Sequence, residues 1–330
     1  MNFGPKVISK INRVAAEQVG QSFLSGLVAN GIKGNYILMY HGVTSDALTL
    51  FNKRHISCKC FERQVRFIKK HFSVISLQDF FEEKFDTQKP NFAITFDDGY
   101  LNNYLYAKPI LEQYECPASF FVTALNEVGD NILWGDLLNI ASVFTDKDIV
   151  VDGEKFRKQN GTYYSYDTGK SIYDIVRFER TGYDYKVKVK AALREHLSFE
   201  NNPALREYWQ LMSDKQIVET SKSDYIRIGS HGYYHNNLGA VPHNQAMEEL
   251  AKAKKYMEGL TQQKIDQLAF PDGSYTLKLS DDAYDMGFTI QLAADRYLFN
   301  KNEHEAHIKR RHGIYAIDSC LNQLFTALKQ

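Results

Sequence analysis

Two adjacent carboxylates, Asp97 and Asp98, directly follow an apolar segment at 91–96 that predicts a buried strand. Neighbouring carboxylates repel each other, so a chain that only has to turn would seldom place two of them there. In parallel α/β sheets and barrels, ligands bind at the carboxyl ends of the strands. The pair therefore indicates acid–base or metal chemistry, and the alternative is an Asp-Gly turn with a helix-capping aspartate.

Two histidines, His231 and His235, follow a second predicted strand at 226–230. Their i, i+4 spacing puts both imidazoles on one face if a helical turn begins there. Two histidines and one carboxylate form a hydrolytic zinc site with a position open for water, and the metal lowers the pKa of that water from about 16 towards about 7. A second carboxylate can then take the proton. Alone, the histidine pair would suit a surface loop, but the two strand-end pairs together predict a metal-dependent hydrolase.

The elements that must position these residues alternate between strand and helix. This alternation predicts an α/β fold built on a parallel sheet or barrel. We predict strands at 36–40, 91–96, 118–122, 226–230, 268–270, 289–292 and within 308–317, and helices at 61–71, 77–84, 104–114, 213–221 and 245–260.

Two parts of the chain fall outside this alternation. We interpret residues 146–205 as an insertion with its own small sheet and one or two helices, and its lysines at 186–190 as a solvated face. In residues 1–34 the spacing of the apolar residues predicts an amphipathic helical extension. We expect it to pack on the main domain, which spans 35–330.

Composition limits the classes of protein to consider. The 330 residues carry 40 Lys and Arg against 40 Asp and Glu, so the formal net charge is zero and a nucleic-acid partner is not expected. The four cysteines, at 58, 60, 116 and 320, complete no zinc-knuckle pattern and make no disulfide framework, so we expect reduced thiols. No signal peptide and no apolar run of about 18–20 residues is recognisable, so we expect no transmembrane segment and a cytoplasmic location.

Three motifs in this order resemble those of the polysaccharide deacetylase family, the NodB-homology carbohydrate esterases, in the branch found with bacterial surface-glycan biosynthesis. Thr95-Phe96-Asp97-Asp98-Gly99 is similar to the first motif, the segment from Ser230 to His235 to the second, and Phe270-Pro271-Asp272-Gly273 in part to the third. The resemblance covers about 36–122 and 213–317. It implies a distorted (β/α)7-type barrel, here with an inserted subdomain and an N-terminal helical extension.

The resemblance also implies a role for each matching residue. Asp97 corresponds to the general base, and Asp98, His231 and His235 to the ligands of a divalent metal, for which we expect Zn²⁺. The backbone N–H of Asp272 corresponds to the oxyanion donor.

Two departures from the family pattern affect the predicted chemistry. Ala269 stands where the family has the arginine that orients the base, so Asp97 is expected to lack that partner, and the Asp272 side chain adds negative charge nearby. The late Leu-x-His that supplies the general acid is also absent. His41 is a candidate substitute, since the first and last strands of a closed barrel are neighbours, and an indirect hydrogen-bonding role for it is equally open. His312 is a weaker candidate.

These observations predict a hydrolase of C–N bonds other than peptide bonds. It would remove an acetyl group, N-acetyl in preference to O-acetyl, from a sugar or glycan precursor. The alternatives are a catalytically impaired barrel that binds metal and sugar, and an amidase acting on a small non-sugar substrate. The sequence does not specify the sugar or the oligomeric state.

Overall fold

A computed structural model of the chain describes residues 34–46, 51–195, 202–294, 307–316, 320–321 and 323–324. The predicted helical extension at 1–34 lies outside the described residues except for Gly34. The strands are β1 (Asn35–Tyr40), β2 (Gly42–Thr44), β3 (His55–Ser57), β4 (Ser73–Val74), β5 (Asn91–Phe96), β6 (Ala118–Val122), β7 (Ile149–Val151), β8 (Glu154–Gln159), β9 (Thr162–Ser165), β10 (Ile226–Ser230), β11 (Gln267–Ala269), β12 (Ile290–Ala293), β13 (Ile308–Arg310) and β14 (His312–Gly313).

The helices fall mainly between the strands. They are α1 (Cys58–His71), α2 (Leu77–Phe81), α3 (Lys108–Gln113), α4 (Trp134–Phe144), α5 (Ile172–Asp174), α6 (Tyr183–Arg194), α7 (Asp214–Ser221), α8 (His243–Thr261) and α9 (Leu277–Asp285). There are also two π-helical segments among the described residues. Asn103–Ala107 leads directly into α3, and Ile175–Glu179 directly follows α5.

The main sheet is parallel and nearly closes into a barrel. Within the described residues, the strand order is β13-β12-β11-β10-β6-β5-β1-β14, and β4 pairs with β5 outside this path. The two end strands, β13 and β14, are separated in sequence by Arg311 alone. One stretch of chain thus pairs with β12 on one side and β1 on the other. The predicted α/β fold, a distorted (β/α)7-type barrel, is confirmed.

Alternate residues along the strands face the inside of the barrel. The interior cluster is apolar and is joined by two side chains of α2, Leu77 and Phe80; its strand members are Ile37, Ala93, Phe121, Ala269, Ile290 and Leu292. Space inside is tight, because a Cβ on Gly229 would lie 2.7 Å from the Phe121 ring. The opposite strand faces pack against the surrounding helices in a larger cluster that includes Leu38, Phe92 and Phe96.

A second sheet lies within the segment predicted as an insertion. Strands β7, β8 and β9 are antiparallel, and Asp152 and Gly153 join the first two with φ of 55° and 83°, as a type I′ turn requires. This sheet shares a separate hydrophobic cluster with α5 and α6, and also with α4, which precedes residue 146. The predicted limits of the insertion therefore stay a prediction.

The interpretation of the lysine run at 186–190 as a solvated face is wrong for two of its lysines. In α6, Lys186 and Lys190 are each only 4% exposed, and only the side chain of Lys188 is half exposed. The Lys190 Nζ pairs with the buried Asp130 carboxylate. The error arises because a charge run on a helix contains two faces, and here one of them packs inward.

The expectation that all thiols are reduced is also wrong for this structure. Cys60 in α1 and Cys320 form a disulfide with their Cα atoms 5.3 Å apart, while Cys58 and Cys116 are free. Cys60 and Cys320 are 260 residues apart, and at that separation the spacing of cysteines in the sequence does not indicate which of them pair. Among the described residues, no helix combines the length and the apolar character needed to cross a membrane.

Candidate active site

Four loops at the carboxyl end of the barrel bring the candidate residues together. His41 follows β1, Asp97 and Asp98 follow β5, His231 follows β10, and Asp272 lies beyond β11. Parallel strands end at the same rim, so these loops meet there. They enclose a cavity of about 290 Å³ lined by Met39, His41, Arg54, Asp97, Asp98, Arg177, His231, His235, Phe270, Asp272, Gly273, Ala294 and Tyr315.

Asp98, His231 and His235 form a three-residue group with the geometry of a metal site. Their ligand atoms all lie within 4.8 Å of one another. The Asp98 Oδ1 is 3.4 Å from the His231 Nε2 and 3.2 Å from the His235 Nε2. Ligands about 2.0–2.1 Å from a tetrahedral zinc ion are about 3.3 Å apart, which matches these separations.

The hydrogen bonds of these side chains also fit a metal. The His231 Nδ1 lies 2.8 Å from the Ala269 carbonyl oxygen, which can only accept a hydrogen bond. A metal-bound histidine is neutral, so Nδ1 then carries the proton and Nε2 is free to coordinate. Both carboxylate oxygens of Asp98 are buried without a hydrogen-bond partner among the described residues. A divalent cation would satisfy all of these atoms.

The charges around the metal site favour an ionised Asp98. Burial alone would raise the pKa of this carboxyl, but the His231 and His235 imidazoles and the Arg54 guanidinium hold the pKa well below its usual range. For His231 burial alone would lower the pKa, but the Asp97 and Asp98 carboxylates outweigh burial and raise the pKa. The site is therefore arranged to hold positive charge.

Residues in three of the loops adopt backbone conformations that L side chains rarely take. Asp98, His235 and Asp272 have φ of 74°, 51° and 56°. Such strain persists only where the surroundings impose it, and it concentrates at functional sites. The segment from His231 to His235 is not helical, so the helical turn considered from the i, i+4 spacing is absent. The left-handed turn at His235 instead brings the two rings to a centroid distance of 5.0 Å.

Asp97 has an arginine partner, contrary to the expectation from Ala269. The Arg311 Nη1 and Nη2 donate to the two Asp97 oxygens over 2.6 and 2.7 Å, and Nη1 also donates to the Thr95 hydroxyl over 3.2 Å. The guanidinium lies 5.6 Å from the centroid of the Phe121 ring. Arg311 lies between β13 and β14, the strands that close the barrel, and is far from the third motif in sequence, so comparison with that motif does not identify it.

This pairing sets the charge of Asp97. Burial favours the protonated carboxyl, but Arg311, with the His231 and His41 imidazoles, outweighs burial and lowers the pKa of Asp97. Asp97 is therefore ionised at neutral pH, as a proton acceptor must be.

The two candidate acids are placed differently. His41 lines the cavity, is 7% exposed, and has no hydrogen-bond partner for Nδ1 within the described part of the chain. Burial, and then the Arg54 charge, lower its pKa to about 4, so the free site holds a neutral imidazole at pH 7. The His312 ring lies 5.8 Å from the Tyr36 ring, tilted by 57°, and does not line the cavity. A role for His41 as acid stays a prediction, and His312 is not at the site.

Two residues in the helical segments that pack beside the second sheet contact the loops of the site, and the sequence analysis did not identify them. Arg177, in the π-helical segment after α5, pairs with Asp272 at 3.2 Å. The buried Nζ of Lys186 in α6 donates to the backbone carbonyls of Tyr234 and His235. The loop that carries both histidine ligands is therefore held from outside the barrel. No motif marks either residue, because the contacts depend on how the segment folds onto the rim.

Comparison with known proteins relates the chain to one family. A family model described as polysaccharide deacetylase matches residues 84–153 and 181–291, more than half of the chain. No curated protein matches the chain by sequence.

Solved structures of deacetylases share the fold at low sequence identity. The deacetylase PplD of Streptococcus pyogenes, in complex with acetate, has a TM-score of 0.56 and 15% identity over 89% of this chain and 98% of its own. IcaB from Ammonifex degensii has a TM-score of 0.53 and 17% identity over 91% and 98%. A de-N-acetylase from Aggregatibacter actinomycetemcomitans has a TM-score of 0.52 and 16% identity over 89% and 99%.

Proposed function

We propose metal-dependent removal of an acetyl group from a sugar or glycan precursor as the function of this chain, which belongs to the polysaccharide deacetylase family. The observation that carries the proposal is the buried group of Asp98, His231 and His235 beside an ionised, arginine-held Asp97. We propose Zn²⁺ as the metal, because two imidazoles and one carboxylate with an open position suit it.

Each residue has a proposed task in the reaction. When bound, the metal supplies Lewis acidity to the acetyl carbonyl and to the attacking water. Asp97 takes the proton of that water, and Arg311 keeps the carboxylate ionised and fixes its orientation. The backbone N–H of Asp272 donates to the developing oxyanion. His41 is the candidate for returning a proton to the leaving amine.

We propose that the acetyl group removed is linked to nitrogen, as the name of the Aggregatibacter de-N-acetylase says of that protein. The alternative of a catalytically impaired barrel rests on two departures from the family pattern, the missing third-motif arginine and the missing late histidine. Arg311 pairs with Asp97 in place of that arginine, so the first departure no longer supports the alternative. The late histidine is still without a demonstrated substitute. A cytoplasmic location is our proposal from the sequence alone, and the Cys60–Cys320 disulfide weighs against it.

Acetate release from N-acetylated oligosaccharides, by protein loaded with Zn²⁺ after chelation, tests the function. We expect release that depends on the metal and falls about 10²–10⁴-fold in Asp97→Asn, which keeps the shape but cannot take a proton. p-Nitrophenyl acetate and a small non-sugar N-acetyl amide serve as comparison substrates. Metal-loaded protein that binds the oligosaccharide but releases no acetate would support the impaired-barrel alternative.

A further inference from the structure

We propose that the sugar substrate carries an acidic group, a carboxylate or a phosphate, near its acetylated position, and that Arg177 and Arg54 bind this group in the active-site cavity. The inference rests on the proposed function and names the class of its substrate. Its basis is the presence of two partly open guanidinium groups on the wall of one small cavity.

Arg177 is anchored at one end and open at the other. Its Nη2 lies 3.2 Å from the Asp272 Oδ1, and its backbone carbonyl accepts a hydrogen bond of 3.0 Å from the Asn237 side chain. Its Nε is buried and has no hydrogen-bond partner in the described part of the chain, and a third of the side chain is exposed. The segment that carries it is thus fixed to the rim, while part of its guanidinium donates to no protein group.

Arg54 is held loosely on the same wall. Its Nη1 is 3.7 Å from the Asp98 Oδ2, and its Nη2 is 3.8 Å from the Asp136 Oδ1. Both separations exceed a hydrogen bond, and the firmest side-chain contact is the 3.4 Å one from Nε to the Asn52 side chain. The fork of N–H donors that suits carboxylate and phosphate oxygens is therefore available.

The charge balance of the cavity changes when a metal binds. Arg311 balances Asp97, Arg177 balances Asp272, and Arg54 faces Asp98. A divalent cation adds two positive charges to this balanced set. Burial raises the pKa of Asp136, behind Arg54, to about 7, so its carboxyl would offset at most one of them. Excess charge in a buried site is costly unless it is paired. An acidic substrate supplies the pairing charge, and a neutral sugar does not.

The size and rim of the cavity suit one charged sugar residue. A volume of about 290 Å³ is near the lower end for small-molecule sites. Tyr315 lines the cavity and is 39% exposed. Aromatic rings of this kind cover the C–H face of a sugar while the guanidinium groups engage the acid.

The test compares three substrates that share an acetamido sugar: N-acetylglucosamine, its 1-phosphate, and an N-acetylated amino sugar acid. Acetate release with the Zn²⁺-loaded protein gives kcat/KM for each, and the Asp97→Asn variant, which does not consume substrate, gives the dissociation constants. We expect at least one charged sugar to exceed the neutral one by about tenfold or more in kcat/KM. Preference for the phosphate or for the carboxylate identifies which acid the site takes.

Substitution then assigns the preference to Arg177. In Arg177→Gln the charged-to-neutral ratio should fall by about tenfold, the factor that corresponds to about 1.4 kcal/mol. Arg177→Lys should keep part of the ratio. Arg180→Gln is the matched control, because Arg180 follows the same segment but pairs with Glu154 away from the cavity.

Two results would overturn the inference. One is equal kcat/KM for all three sugars, and the other is a ratio that does not change in Arg177→Gln. Either leaves the proposed deacetylation intact, since acetate is still released. Absence of acetate from every substrate would instead count against the proposed function.

Discussion

At the scale of single residues, the pairing of Arg311 with Asp97 determines whether the proposed base can work. The carboxylate is buried, and burial alone would favour its protonated form. A bidentate arginine both lowers the pKa and fixes the direction of the lone pairs. The two effects can be separated by substitution.

Arg311→Gln should lower kcat/KM by about 10–100-fold, the loss typical of a group that orients a reacting residue. Because Arg311 lowers the pKa of Asp97, its removal raises that pKa. The acid limb of the pH–kcat/KM profile should therefore move to higher pH. Arg311→Lys keeps the charge without the bidentate geometry, so it should retain the limb near its original pH while still losing rate.

An unchanged acid limb in Arg311→Gln would mean that Asp97 is not the group that titrates in the reaction. Thermal unfolding of both variants serves as the control for fold. Loss of one partner of a buried pair costs about 3–5 kcal/mol, so measurements should be made well below the lowered melting temperature.

Local motifs locate part of the site at this scale and miss the rest. The sequence predicts Asp97, Asp98, His231, His235, Asp272 and His41 as rim residues, because each directly follows, or lies just beyond, a recognisable strand. It does not predict Arg54, Arg177 or Arg311 as site residues. Their side chains reach the cavity through tertiary contacts, and Arg311 does so through barrel closure, which no local pattern encodes.

At the scale of elements, α6 supports the loop that carries the metal ligands. Lys186 donates from a buried position to the carbonyls of Tyr234 and His235, next to the left-handed turn at His235. Burial lowers the pKa of Lys186 to about 8. The strand and helix pattern predicts the elements themselves well, since hydrophobic periodicity is local, but not which face of α6 packs inward.

Lys186→Met should weaken metal binding about 10–100-fold, because the His235 loop loses the donor that holds its backbone. Competition with a chromogenic chelator measures the affinity. Lys188→Met, on the exposed side of the same helix, is the matched control and should bind metal as the unmodified protein does. Equal affinities in the two variants would mean that the loop holds its ligands without help from α6.

At the scale of the whole molecule, the Cys60–Cys320 disulfide ties α1 to the end of the described chain. A bond that closes so long a loop stabilises mainly by restricting the unfolded chain. Disulfides persist in oxidising compartments and are rare in the cytosol, so this bond weighs against the cytoplasmic location expected from the sequence. Remote cysteine pairing is fixed by the closed fold, and no sequence spacing predicts it.

Reduction should therefore lower the free energy of unfolding by roughly 2–4 kcal/mol. Denaturant titration with and without reductant measures the change, with Cys60→Ser/Cys320→Ser as the variant that should not respond. Alkylation of freshly extracted, denatured protein should label two of the four thiols. Labelling of all four would show that the bond is absent in the cell.

We propose that deacetylation requires a metal held by Asp98, His231 and His235. Elemental analysis joined to acetate release, on the unmodified protein and on His231→Ala/His235→Ala, tests it most directly. We predict one divalent transition metal per chain and metal-dependent acetate release in the first. In the second we predict loss of both, with the circular dichroism spectrum of the fold retained. Full metal content in the folded double variant would contradict the claim.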